Sequence, residues 1–249
     1  MDMELANRVA IVTGASRGLG SGIVRAFASE GMKVVAAARS HDELAVLAAE
    51  FPGAVHPVVC DMTRTDEVTS LVDHALDIFG ALDVVVNNAG IAPAARFTDM
   101  PIATWGEVFA VNLLAPVALS RAAAQTLLGQ RHGKVINVAS TSGLRGKPTL
   151  AAYSASKGAM LRFTEALSGE WASEGVQVNA IAPGAFATDA QRAVLASPEV
   201  LTRRLRKIPA GRMGVIDEIG ALACFLASPL SDFVTGATYV IDGGESAKL

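Results

Sequence analysis

Seven short apolar runs, most of them β-branched, recur along the chain: RVAIVT at 8–13, KVVAAA at 33–38, HPVVC at 56–60, DVVVN at 83–87, KVINVA at 134–139, VQVNAIA at 176–182 and ATYVI at 237–241. Most lack polar alternation, which is the pattern of strands buried on both faces. Between them the apolar spacing changes to i, i+3, i+4. In 66–79, Val68, Leu71, Val72, Ala75 and Phe79 share a helical face, with Thr63 or Thr65 as the expected cap. In 153–174, Met160, Phe163, Leu167 and Trp171 form a second stripe, and Gly175 stands where that helix should end. Strand and helix alternate from end to end. This predicts an α/β fold, a parallel sheet with helices on both faces joined by right-handed crossovers. No linker, repeat or low-complexity tract interrupts the pattern, so residues 1–249 read as one domain. The long stretch without a strand is 184–235. In open α/β sheets ligands bind beyond the carboxyl ends of strands, so a lid is expected around 185–210.

Composition narrows the class. The 249 residues are 51% hydrophobic and 18% charged, with a net charge of -3, which gives no footprint of nucleic-acid binding. The opening MDMELANRVAIVTGAS lacks the basic and apolar regions of a signal peptide, and no apolar run reaches the ~20 residues of a bilayer span. A soluble cytoplasmic protein is the expectation. Cys60 and Cys224 have neither metal-ligand spacing nor a disulfide framework, and His41, His56, His74 and His132 are scattered, so no metal site is expected.

The first strand runs into TGASRGLG, where Gly14, Gly18 and Gly20 precede a helix. Glycines at a strand-to-helix turn let backbone amides approach a phosphate, and the helix N-terminus favours its charge. The second strand ends in Ala37, Ala38 and Arg39. The acid that meets a free ribose is missing, and Arg39 and Arg17 offer planar cations for a 2′-phosphate, so NADP(H) is expected in preference to NAD(H). Asp61, after the third strand, suits either an adenine amine or the cap of the next helix. NNAG at 87–90 allows close approach to a ribose or makes an ordinary turn. Tyr153 and Lys157 stand four apart, hence side by side on a helix, as a phenol and an ammonium on otherwise small, uncharged surface.

These motifs together, TGASRGLG, Asp61, NNAG, Asn112 in VFAVNLL, INVAS, YSASK, NAIAPG and VIDGG, resemble the short-chain dehydrogenase/reductase family over the whole chain. The resemblance implies a Rossmann-like, doubly wound sheet of seven strands. It implies that Gly14, Ser16, Arg17, Gly18, Leu19 and Gly20 hold the pyrophosphate side and that Arg39 reads the 2′-phosphate. It further implies that Asp61 and Met62 flank the adenine, that Asn88, Ala89 and Gly90 line the ribose, and that Pro183, Gly184, Phe186 and Thr188 lie along the nicotinamide. Phe186 fills a place often aliphatic and is expected to narrow the pocket. Asn112, Ser140, Tyr153 and Lys157 match the family's catalytic residues, and the resemblance implies that Tyr153 and Lys157 also touch the nicotinamide ribose. A charged Lys157 and an oxidised nicotinamide would both lower the phenol's pKa from about 10. Ser140 would bond the carbonyl oxygen, and Asn112 would order a water linking Lys157 to solvent. Within the family the motif string is similar to the 3-oxoacyl-carrier-protein reductases. The expected reaction is interconversion of a carbonyl and a secondary alcohol, on an acyl thioester or a small keto or hydroxy compound. A sugar-acid dehydrogenase and a non-catalytic NADPH sensor are the alternatives. The family is commonly homotetrameric. The run Arg203, Arg204, Arg206 and Lys207 reads as a solvated lid helix, and Arg96, Arg145 and Lys147 as cations available to an anion.

Overall fold

Continuous β-branched runs have no wet side to offer, so the strands pair in parallel and are covered twice. A computed structural model describes residues 2–247; Met1, Lys248 and Leu249 lie outside them. The order is β1 (Val9–Thr13), α1 (Gly18–Ser29), β2 (Lys33–Ala38), α2 (His41–Glu50), β3 (Val55–Val59), α3 (Thr65–Phe79) and β4 (Val84–Asn87). The second part carries α4 (Ile102–Phe109), a π-helical turn at Ala110–Leu114, α5 (Ala115–Gly129), β5 (Gly133–Val138), α6 (Thr141–Leu144) and α7 (Ala151–Trp171). It continues through β6 (Val176–Pro183), α8 (Arg192–Leu195), α9 (Pro198–Leu205) and α10 (Ile216–Ala227) to β7 (Thr238–Ile241). The sheet order is β3-β2-β1-β4-β5-β6-β7, and every pairing is parallel. The direction of winding reverses between β1 and β4, the place where open sheets of this kind part to admit a ligand.

Alternate residues of each strand feed opposite cores. From β1, Ala10 and Val12 pack with Ile23, Phe27, Leu44 and Ile219 of α1, α2 and α10. Val9 and Ile11 pack on the other side with Leu71, Leu119, Leu127 and Trp171 of α3, α5 and α7. Each such side chain, fully buried, contributes roughly 1.5–3 kcal/mol. These two layers fix where the strand ends stand.

Three expectations need correction. Neither Thr63 nor Thr65 caps α3: Arg64 occupies the N-cap without a side-chain bond, and Thr63 instead donates to Asp61. Residues 102–129 form one continuous helical run of 28 residues whose most apolar 18-residue window has mean hydropathy 1.5, enough by length and composition for a membrane span. Leu119, Ala123 and Leu127 of that run are core residues, which explains part of the apolarity, but two thirds of its most apolar window is not buried within the chain. The basic run of 203–207 is not uniformly solvated. Arg204 is partly buried and pairs bidentately with Glu245, with Nη2 2.7 Å from Oε2 and Nη1 on Oε1. Arg203 pairs one turn back with Glu199.

Candidate active site

A cavity of about 410 Å³ runs across the carboxyl ends of the strands. Gly14, Ser16, Arg17, Gly18, Leu19 and Gly20 line it from the turn after β1, and Arg39 from the end of β2. Asp61, Met62, Asn88, Ala89 and Gly90 follow from the exits of β3 and β4. Ser140, Tyr153 and Lys157 line it from the other side with Pro183, Gly184, Phe186 and Thr188. Of the residues assigned to the cofactor or to catalysis, Asn112 does not line it, and the loop cations Arg96, Arg145 and Lys147 lie outside its lining as well.

The glycine turn is built for close approach. Gly14 has φ +64°, and a Cβ there would lie 2.8 Å from Ala89 Cα. A Cβ on Gly20 would lie 2.2 Å from the Gly14 carbonyl oxygen. Thr13 Oγ1 accepts from the amides of Asn88 and Ala89 at 3.0 and 3.1 Å, across the switch point. Asn88 Nδ2 donates to the carbonyls of Thr13 and Gly14 at 2.8 and 3.1 Å. The side-chain amide of Asn88 therefore braces the turn, and its contribution to the cavity is a wall rather than a free donor. The N-terminus of α1 opens beside this turn with no side-chain cap, so its first amides are left available to an anion.

Asp61 is drawn into a local turn. Its Oδ1 accepts from both the backbone amide and the hydroxyl of Thr63, each at 2.9 Å. The backbone bond, the hydroxyl and then the field of Arg39 hold its carboxyl below the usual range. Arg17 and Arg39 are exposed, and neither forms an ion pair among the described residues. The ring of Phe186 is buried, stacked over Gly214, where a Cβ would meet Cε1 at 2.7 Å. It lines the cavity as a fixed part of the core, a firmer role than the simple narrowing expected.

At the other end, α7 carries Tyr153 and Lys157 on one face. Lys157 is buried, its Nζ donating to the Val138 carbonyl at 2.7 Å and standing 6.0 Å from the centre of the Tyr153 ring. Burial pulls its pKa down to about 8. Burial raises the pKa of Tyr153, and only a hydrogen bond from Ser140 opposes this by favouring the phenolate. Desolvation governs the phenol of the protein alone, and the positive charge of an oxidised nicotinamide would act in the opposite sense. Ser140 also caps α6, its Oγ accepting from the Ser142 amide at 3.0 Å. This leaves its hydroxyl hydrogen for Tyr153.

Asn112 sits in the π-helical turn, a local irregularity common at functional sites. Its Oδ1 accepts from the Ile91 amide at 2.8 Å; its Nδ2 donates to the Ile91 carbonyl at 2.9 Å and to Ser156 Oγ at 3.0 Å. Both amide hydrogens are used within the protein, which leaves the second lone pair of Oδ1 as the side chain's means of ordering a water. It ties the exit of β4 to α7. The sequence reading missed Val138 and Glu107, both of which line the cavity. Val138 acts through a carbonyl that every residue possesses, and Glu107 belongs to no motif.

The burial of Lys157 has a measurable consequence. Its ordinary pKa of 10.5 falls to about 8 on folding. Between those values the unfolded chain binds more protons than the folded one, so stability rises with pH across that window. Below about pH 8 the cation costs on the order of 3 kcal/mol. Urea unfolding of wild type and Lys157→Met should therefore converge in the wild type's favour by about that amount between pH 8 and 10.5. A pH-independent difference would contradict a depressed pKa.

A family model described as enoyl-(acyl carrier protein) reductase matches residues 14–246. A 3-oxoacyl-(acyl-carrier-protein) reductase of Synechocystis sp. is 38% identical over 245 residues, 96% of this chain and 97% of that protein. The chain belongs to the short-chain dehydrogenase/reductase family. It is an oxidoreductase of that family, acting on carbonyl and alcohol groups. A 2-dehydro-3-deoxy-D-gluconate 5-dehydrogenase of Bacillus subtilis is 36% identical over 245 residues, 97% of this chain and 95% of its own. Among solved structures of the family, a gluconate 5-dehydrogenase from Burkholderia cenocepacia, in complex with NADP and tartrate, superposes with TM-score 0.93. It is 34% identical and covers 100% of this chain and 98% of its own.

Proposed function

We propose that the enzyme uses NADP(H) to interconvert a carbonyl compound and its secondary alcohol, with Tyr153, Ser140 and Lys157 as its catalytic residues. The observation that carries this reading is their meeting in one cavity with an uncapped helix N-terminus, a glycine turn and two arginines without an ion-pair partner among the described residues. The residues fit the cofactor. The turn has no room for side chains where a pyrophosphate needs backbone, and Arg17 and Arg39 suit a 2′-phosphate. The NADP held by the Burkholderia relative adds support. NADP(H) supplies the hydride when bound. Tyr153 Oη gives a proton to the carbonyl oxygen in reduction and takes it back in oxidation, and Ser140 holds that oxygen and favours the phenolate. Lys157, held on Val138, adds positive charge beneath the tyrosine, and Asn112 positions the loop at Ile91.

In substrate, the reading extends to 3-oxoacyl thioesters or small keto and hydroxy compounds. Residues 1–249 would work as one domain with 185–210 as lid, in a cytoplasmic homotetramer. Ile102 and Leu114, 83% and 59% exposed on the apolar helical run, support pairing between copies. The direct test is nicotinamide absorbance at equal NADPH and NADH with a panel of ketones, keto acids and 3-oxoacyl thioesters. Turnover that prefers NADPH is expected. Preference for NADH would overturn the arginine assignment, and tight NADPH binding without turnover would point to a sensor.

A further inference from the structure

Two loops flank Ser140 and Tyr153, residues 91–100 and 141–150, and the Ala95 amide joins them by donating to the Thr149 carbonyl at 3.0 Å. Lys147 occupies the second loop. It is tied to the catalytic elements at both ends: its backbone amide donates to Ser154 Oγ at 3.2 Å, next to Tyr153, and its Nζ reaches Thr141 Oγ1 at 3.5 Å, next to Ser140. The ammonium is partly withdrawn from water, and burial pulls its pKa down. Yet no carboxylate lies within ion-pair distance of it among the described residues. Glu245 and Asp242 face it from the C-terminal segment, and Arg204 and Lys207 face it from α9 and the turn beyond. Both acids are committed elsewhere. Glu245 is held bidentately by Arg204. Asp242 accepts from the amides of Gly244 and Ser246 at 2.8 and 2.6 Å.

A partly desolvated cation without a matched acid is costly to keep, and a bound anion would offset that cost. Arg96 and Arg145 stand exposed on the same two loops and add to the positive field. We propose that Lys147 is a specificity-determining residue that receives a substrate carboxylate, making keto acids and the corresponding hydroxy acids the preferred substrates over neutral ketones. This rests on the oxidoreductase reading of the neighbouring site. The carboxylate enters as an ion-pair partner, with no bond made or broken at the lysine.

The test compares acid and ester pairs of different reach, acetoacetate with its ethyl ester and laevulinate with its methyl ester. Each is titrated by calorimetry into the NADP⁺-saturated protein, as wild type, Lys147→Met and Lys147→Arg. In the methionine variant the ratio of acid to ester dissociation constants should move against the acid by about tenfold or more, and arginine should restore most of it. The melting temperature of Lys147→Met should not fall, because the variant removes an unmatched charge. Equal weakening of acid and ester, an unchanged acid affinity, or no charge-dependent binding in wild type would each overturn the proposal. NADPH oxidation with the same compounds is read separately. Charge-dependent binding without turnover would sink the redox reading and leave the anion site standing.

Discussion

Tyr153→Phe should lose turnover by roughly 10²–10⁴-fold while holding NADPH with little change. The substitution removes one oxygen and keeps the ring. The ring is the part that packs on α7, so the fold and the cofactor cavity should persist. What goes is the only hydroxyl that Ser140 addresses within the cavity. Ser140 itself cannot replace it, since its oxygen already accepts from Ser142 and it has a single hydrogen to give. The comparison is absorbance for turnover and cofactor fluorescence for binding, on the same preparations. The wild-type pH profile should carry the sign of the tyrosine. Burial holds the phenol protonated at neutral pH, so carbonyl reduction should be flat there and fall as pH rises through its pKa. Alcohol oxidation needs the phenolate and should rise over the same range. Residual turnover within tenfold of wild type would assign proton transfer to another group.

The strands were readable because a β-branched run buried on both faces has few alternatives. The run at 33–38 matches β2 residue for residue, and that at 8–13 loses only Arg8. The glycine turn was readable for the same reason, since a Cβ on Gly14 would lie 2.8 Å from Ala89 Cα and the turn tolerates nothing larger than glycine. The contacts that tune the site were not. Lys157 meets a carbonyl on Val138, and Asn112 clamps the backbone of Ile91. Backbone groups carry no residue signature, and partners some twenty positions apart leave no periodicity. The burial of Tyr153, which raises its pKa before any cofactor charge acts, leaves no mark in the sequence either.

The uncommitted cations are the complement of this. Arg131 pairs with Glu174, Lys134 with Asp232, Arg25 with Glu50, and Arg204 with Glu245. Arg17, Arg39 and Lys147 lack such partners among the described residues and all lie at the carboxyl end of the sheet. Two arginines without ion-pair partners among the described residues, Arg17 and Arg39, line one cleft and concentrate positive field where an anionic cofactor would arrive.

Arg39→Ala should lower kcat/KM for NADPH by roughly 10²-fold and leave NADH nearly unaffected. A bidentate guanidinium–phosphate contact is worth more than a single neutral hydrogen bond, and NADH lacks the phosphate that would lose it. Arg39 is exposed and makes no ion pair among the described residues, so the melting temperature should hardly move. Its remaining electrostatic duty is to Asp61, whose carboxyl it helps keep ionised. That neighbour limits the reverse design. Arg39→Asp would supply the acid that a free ribose prefers, but beside Asp61 it introduces a like charge. The gain with NADH should therefore be smaller than the loss with NADPH, and it should grow as salt screens the repulsion. The loss with NADPH has the opposite dependence, shrinking in high salt as the wild-type contact weakens. Steady-state kinetics with both cofactors at low and high ionic strength separates the two effects. An NADPH loss of less than threefold in Arg39→Ala would transfer the phosphate to Arg17, and the Arg17→Ala variant would then carry the full effect.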